Sequence, residues 1–351
     1  MRFGPTLPAP LGVTARAVLN HPDRRSGWTI VVAGTLAGAP DLDRLHATVP
    51  LTSARLARGQ WVTGSPAAPV RVEGDPLGDS EVWRPLDLDS EAPVRVLIGA
   101  ANRVAVAAHH AAFDGLSVLT LLRLLAGQSP VLTTMSAPKE KTSLPHASGA
   151  VARLLRPADR IAPSTRERVV ETGAWRAVAL QGTGVTGRLA AAVAGAVAAH
   201  NSAVAAPWRR IGISVGLGGP PGIGNHATYR RVDLDRGADV TAAVSAAIKS
   251  DDAAPSELRW APLALRLLAP VVARLGDSFL VSNLGRQDLT DLSDVIFFPV
   301  ARGRSAVALG AVAGENGAGT VSLRARHLDS IDAETLLDVV IEHLTPNMTR
   351  P

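Results

Sequence analysis

The sequence predicts a mixed α/β fold built as two sandwiches of similar size. Three observations predict it. The chain has 351 residues, a length that suits about two domains. Each half alternates strand-like and helix-like patterns. A stretch without any period, rich in Ser, Thr, Pro and Lys, separates the halves. These give a first subdomain over 1–128, a linker or crossover over 129–168 and a second subdomain over 169–351.

The first half opens with "GWTIVVAGTLAG" (27–38), whose apolar run reads as a strand. "DLDRLHATVPLTSARLARG" (41–59) reads as a helix begun by an acidic cap. "APVRVLIGA" and "NRVAVAAHH" are two further strands, and their Gly-Ala-Ala-Asn junction suits a hairpin turn. "GLSVLTLLRLLAG" is apolar on most faces of a helix, so it is a buried helix that stops at Gly127. "GQSPVLTTMSAPKEKTSLPHASGA" then has the composition of a linker.

The second half repeats this grammar. "AWRAVALQ", "RRIGISVGL" and "YRRVDLD" read as strands, and "TGRLAAAVAGAVAAHN" and "DVTAAVSAAIKS" as helices. "APLALRLLAPVVARLG" (261–276) reads as another helix. "SFLVSNLG", "VIFFPVA", "AVALGAVAG" and "TVSLRARHL" are strands, and "DAETLLDVVIEHL" is a closing helix.

Composition narrows the function classes. Hydrophobic residues make up 46% of the chain and mean hydropathy is +0.16, a globular balance. Aromatics are only 3%, so cores must come from Ala, Val and Leu. The net charge is +5 and the isoelectric point about 10.5. The positive charge is almost all Arg, spread without a basic block, aromatic ladder or zinc spacing. That argues for a solvated surface and against nucleic acid. With no cysteine, disulfides, thiolate catalysis and Cys-ligated metals are excluded. No signal-like apolar core opens the chain and no apolar run spans a bilayer, so the expected location is the cytoplasm. His146, His200, His226 and His327 are scattered, and none pairs with a carboxylate at metal spacing, so no metal is expected.

The stretch "VAVAAHHAAFDGLSVLTLL" (104–122) concentrates the polar chemistry. His109 and His110 end a strand and point to opposite faces. Asp114 follows at a turn, where its carboxylate can orient an imidazole or pair with an Arg. Gly115 permits a sharp turn into the helix. A neutral imidazole here suits proton abstraction from an alcohol or amine. The alternative is a strand end whose histidines merely satisfy backbone groups.

"HHAAFDG" resembles the His-His-x-x-x-Asp-Gly motif of the CoA-dependent acyltransferase superfamily, which includes nonribosomal peptide condensation domains and polyketide-associated acyltransferases. "WRPLDLDSEAPVRVLI", "VTGRLAAAVAGAVAAH", "GLGGPPGIGNH" and "LVSNLGR" are similar to other segments of that superfamily, in the same order. The resemblance implies two chloramphenicol-acetyltransferase-like sandwich domains in a V-shaped pseudo-dimer with an interdomain tunnel. It implies that His110 is the general base, that His109 is buried support, and that Asp114 holds the loop through an Arg. Ser282, Asn283 and Asn225 become candidates to line the cleft or to stabilise an oxyanion. The implied protein is a free-standing monomer in secondary metabolism. It moves an acyl or aminoacyl group from a CoA or carrier-protein thioester to an alcohol or amine, with no resident cofactor. Two other readings stand beside it. One is a repurposed protein that docks a carrier protein and is silent, or that cyclises or dehydrates a tethered chain. The other is an NADP-dependent enzyme using "GTGVTG" (182–187), with Arg209 and Arg210 facing the 2′-phosphate.

Overall fold

The computed structural model describes residues 6–21, 23, 26–128, 153–166, 171–219, 222–250, 276–303 and 306–345. Most of the predicted linker and all of the predicted 261–276 helix except Gly276 lie outside the described residues. The strands, in chain order, are β1 (Ala9–Pro10), β2 (Thr29–Leu36), β3 (Ala54–Ala57), β4 (Gln60–Thr63), β5 (Val70–Arg71), β6 (Val94–Ile98) and β7 (Arg103–His109). Then follow β8 (Thr172–Ala179), β9 (Arg210–Leu217), β10 (Thr228–Asp235), β11 (Phe279–Gln287), β12 (Leu292–Phe298), β13 (Val307–Gly314) and β14 (Ala318–Ala325).

They form a five-stranded sheet ordered β12-β2-β7-β6-β5, a six-stranded sheet ordered β10-β9-β11-β13-β14-β8, and a small sheet β1-β4-β3. Each large sheet carries helices, giving two α/β lobes. In the first lobe, alternation sorts the side chains of β2. Ile30 and Val32 join the core under the Gly115–Leu125 helix, while Val31 and Ala33 join a second buried cluster. Trp175 of β8 packs against that second cluster, so the first sheet is covered on both faces. This explains why β2 and β7 read as unbroken apolar runs. In the second lobe, the Val185–Ala203 and Ser330–Leu344 helices cover the sheet through Leu189, Val193, Val197, Leu336, Leu337 and Val340.

The predicted helix over 41–59 is corrected. The helix runs only over Leu42–Thr48, because Pro50 opens a separate 3-10 turn. The remainder is the β3–β4 hairpin, turned at Arg58 (φ 50°) and Gly59 (φ 72°), the positive-φ pair that a tight hairpin demands. The β6–β7 hairpin uses the same device at Ala101 (φ 50°) and Asn102 (φ 56°).

One strand crosses the expected partition. β12 lies in the second half of the chain, yet pairs antiparallel with β2 through Phe297↔Val32 and Phe298↔Val31. Its outer carbonyls are met by the other sheet: Thr320 Oγ1 donates to the Val295 carbonyl (2.7 Å) and Ser322 Oγ donates to the Phe297 carbonyl. Such an approach needs a residue without a side chain beneath it. Gly310 supplies it, since a Cβ there would collide with the Phe297 carbonyl oxygen and stand 2.8 Å from Pro299 Cδ. Nearby, buried Arg324 grips Glu171 at 2.7 and 2.9 Å, donates to the Thr29 carbonyl of β2 and lies 5.1 Å from the Trp83 ring centre.

The Gly310→Ala substitution should cost about 3 kcal/mol by overpacking this joint, read as a lowered urea midpoint. Gly38→Ala, where nothing lies within 4 Å of the added carbon, should leave the midpoint close to that of the parent protein.

Candidate functional site

The His-His-x-x-x-Asp-Gly segment folds as its residue types require. β7 ends at His109, and the turn through Phe113 is closed by Ala112 and Phe113 N–H groups on the His109 carbonyl (2.9 and 3.1 Å). Asp114 is the N-cap of the Gly115–Leu125 helix, its Oδ1 accepting from Ser117 N–H at 2.8 Å. Gly115 fits because any side chain there would stand 2.9 Å from Leu284 and Phe297.

The Gly-rich loop of the second lobe is stitched onto this helix start. Asp114 Oδ2 accepts from His226 N–H at 2.9 Å, and Asp114 N–H donates to the Gly224 carbonyl at 3.0 Å. Ser117 Oγ donates to the Gly224 carbonyl (2.7 Å) and accepts from Gly224 N–H (3.1 Å). Asn225 Nδ2 donates to the His110 carbonyl. Gly224, at φ 151°, takes a backbone conformation open to glycine. The Arg that the resemblance assigns to Asp114 is corrected: among the described residues, the Asp114 carboxylate is held by backbone N–H groups of both lobes.

Both imidazoles are buried, His109 at 7% and His110 at 3% exposure. The two opposite faces on which they were expected are thus both covered, and neither ring faces open solvent. His109 Nδ1 accepts from Ala111 N–H at 3.1 Å, which leaves its proton on Nε2. Burial, with His110 beside it, pushes the His109 imidazole down to about 4. His110 has the opposite tautomer. Its Nδ1 lies 3.0 Å from the Phe113 carbonyl, a partner that only accepts, so Nδ1 carries the proton and Nε2 presents a lone pair. That lone pair faces Tyr229 Oη at 2.6 Å. Trp28, held at φ 46°, stacks on the His110 ring with centroids 6.3 Å apart.

His110 and Asp114 line a cleft between the lobes with Ile30, Leu116, Tyr229 and Ser282. Its cavity volume is about 40 Å³, room for roughly three waters. The expected tunnel is thus a narrow cleft here. Register explains what faces it. Tyr229 of β10 sits opposite Gly216 of β9, and Gly216 sits opposite Ser282 of β11. All three share one face of the sheet, and Gly216 leaves open the space between the two hydroxyls. Asn283, the next residue, is spent on structure. Its Nδ2 donates to Thr186 Oγ1 (3.1 Å) on the neighbouring helix, and its Oδ1 accepts from Gly285 N–H (2.9 Å).

Tyr229 was not singled out by sequence reasoning, although it is the chain's one tyrosine. The "GTGVTG" string runs from the turn after β8 into the first turn of the Val185–Ala203 helix, with Gly184 as N-cap. β8 is a sheet edge paired only antiparallel, with β14, whereas a dinucleotide fingerprint sits in a parallel βαβ unit. Among the described residues there is no cluster of three or more His, Asp or Glu able to hold a metal. No helix among them is long and apolar enough to cross a membrane.

No family model and no curated protein sequence matches the chain. Solved structures do. The wax ester synthase/diacylglycerol acyltransferase from Marinobacter aquaeolei VT8 is 16% identical, with TM-score 0.62, covering 97% of this chain and 99% of that one. A starter condensation domain of rhizomide synthetase, solved as a mutant with C8-CoA and Leu-SNAC, is 12% identical with TM-score 0.61, covering 98% and 96%. The X-domain from teicoplanin biosynthesis is 17% identical with TM-score 0.54, covering 98% and 95%, and it is also solved in complex with OxyB. The chain therefore has the condensation-domain fold of two chloramphenicol-acetyltransferase-like lobes.

Two outcomes follow from this geometry. Asp114→Ala removes a helix cap and the tie to His226, and should cost about 2 kcal/mol by urea unfolding. The His109 imidazole takes up its proton near pH 4 when folded, against 6.5 when unfolded. Between those values the unfolded chain binds more protons, so this term weakens the fold as pH falls. It should reach on the order of 3 kcal/mol by pH 4. His109→Asn, whose Oδ1 replaces Nδ1 as acceptor, should flatten that part of the stability–pH curve.

Proposed function

We propose that the cleft catalyses acyl transfer from a CoA or carrier-protein thioester to an alcohol or amine, with His110 Nε2 as the general base. The observation that carries this reading is the tautomer. The Phe113 carbonyl holds the His110 proton on Nδ1, so the basic lone pair points into the cleft from the end of a strand. A base in that state takes the acceptor's proton as the acceptor attacks the thioester carbon. Ser282 Oγ, across Gly216 from Tyr229, is positioned to donate to the oxyanion that develops. Asp114 and Asn225 are positioning residues, since they fix the turn that carries His110. The chemistry calls for no resident metal or redox group; CoA or phosphopantetheine enters as part of the donor. The condensation domain solved with C8-CoA and the wax ester synthase/diacylglycerol acyltransferase support this reading by fold.

A second reading has its own observation. Nε2 is already engaged by Tyr229 in a cleft of about 40 Å³, and a protein with this fold is solved bound to a protein partner. In that reading the chain docks a partner and turns nothing over.

The test is thiol release and product mass with a panel of acyl-CoA and acyl-carrier thioesters, each with hydroxyl and amine acceptors. His110→Ala should lower kcat by about 10²- to 10⁴-fold while far-UV circular dichroism shows the fold retained. Carrier binding without any product from the wild-type protein decides for the docking reading.

A further inference from the structure

We infer that Tyr229 is a further catalytic residue, the link that passes the acceptor's proton to His110. This rests on the acyl-transfer reading of the same cleft. Tyr229 Oη stands 2.6 Å from Nε2, in the place that an acceptor hydroxyl would take if it met His110 directly. An acceptor must then either expel the phenol or use it.

The surroundings favour use. The residue lies in β10 and pairs with Gly216. Its ring packs on Leu280, Ala301 and Ala308, and the Arg302 guanidinium covers it at 4.4 Å from the centroid. Moving the ring aside would give up the hydrogen bond, the packing and the cation–π contact together. Leaving it in place costs nothing, because a phenol both donates and accepts. Its hydrogen points at Nε2, and a phenol oxygen that donates in this way can still accept.

The step balances as follows. The acceptor's O–H or N–H bond breaks and its proton passes to Tyr229 Oη, while the phenol's own proton passes to His110 Nε2. The acceptor heteroatom bonds to the thioester carbon, and the carbonyl electron pair moves onto oxygen. On collapse the carbon–sulfur bond breaks, sulfur leaves with the electron pair, and the proton returns from His110 through Tyr229 to the thiolate. Thioester and acceptor become ester or amide plus free thiol, with both side chains restored.

The test uses the full-length protein, the panel of acyl-CoA thioesters and their acceptors. Tyr229→Phe keeps the ring and its stacking, and should lower kcat about 10²-fold with KM for the acyl-CoA unchanged. In the wild-type protein, two protons in flight should give a bowed proton inventory in mixed H₂O and D₂O; a linear inventory overturns the relay. Tyr229→Phe turning over at the wild-type rate or faster also overturns it, and identifies the phenol as a bystander or a plug. If His110→Ala is inactive in that same case, acyl transfer stands without the relay. If the wild-type protein releases no thiol, or His110→Ala remains fully active, the acyl-transfer reading falls and the relay with it.

Discussion

The Asp114 carboxylate accepts one N–H group from each half of the chain, Ser117 on its own helix and His226 on the facing loop. It is 4% exposed. A carboxylate so far from water needs strong donors on both oxygens, and the positive end of the Gly115–Leu125 helix adds to them. The turn that carries His110 is consequently fixed by both lobes at once. Asn225 completes the arrangement by holding the His110 carbonyl from the same loop. The orientation of the imidazole is thus a property of the assembled pair of lobes, because neither half alone supplies the partners.

Two glycines in one lateral row of the second sheet extend this logic. Tyr229, Gly216, Ser282, Gly310 and Ser322 lie opposite one another across five strands. Gly216 keeps the cleft open, for a Cβ there would come within 2.9 Å of Ser282 Oγ. Gly310, two strands further on, lets β12 settle against the sheet. One glycine keeps the cleft open and the other admits the joint, and both are tolerated in strand interiors because close packing offsets their entropy cost.

The sequence made the strand ending at His109, the buried helix after Gly115 and the two-lobe plan legible, because each has a local period or a turn residue to mark it. It was silent where partners are far apart. β12 reads as an ordinary strand of the second half, and no local pattern tells that its ladder is formed with β2, more than two hundred residues earlier. The 54–63 hairpin hid inside a helical period that Pro50 should have ended. The Asp114 partner was sought among arginines, yet it is a backbone amide, which leaves no trace in residue type. Tyr229 had one available signal, its uniqueness in the chain, but its distance of 119 positions from His110 concealed the contact.

What separates a reactive centre from a docking face is the direction in which polarity points. A docking surface displays its charged and apolar groups to solvent; that His110 and Asp114 are 3% and 4% exposed and turned inward is what favours the acyl-transfer proposal over the docking one. Burying the neighbouring His109 is cheap at neutral pH, since its imidazole is neutral in the fold and an unfolded histidine is also mostly neutral there. The cost appears when a proton arrives, and for His110 as the proposed base that is the moment of use. A pre-set tautomer, with Nδ1 on a carbonyl and Nε2 on a phenol, keeps that moment from demanding any rearrangement. The narrowness of the cleft then becomes intelligible. On the acyl-transfer proposal, a cavity of about 40 Å³, lined also by Ile30, Leu116 and Val300, would accommodate the reacting atoms and little else, and the longer parts of donor and acceptor would lie outside it. On that proposal, selection among substrates would reside outside the cavity, while the centre would read only a carbonyl carbon and a transferable proton.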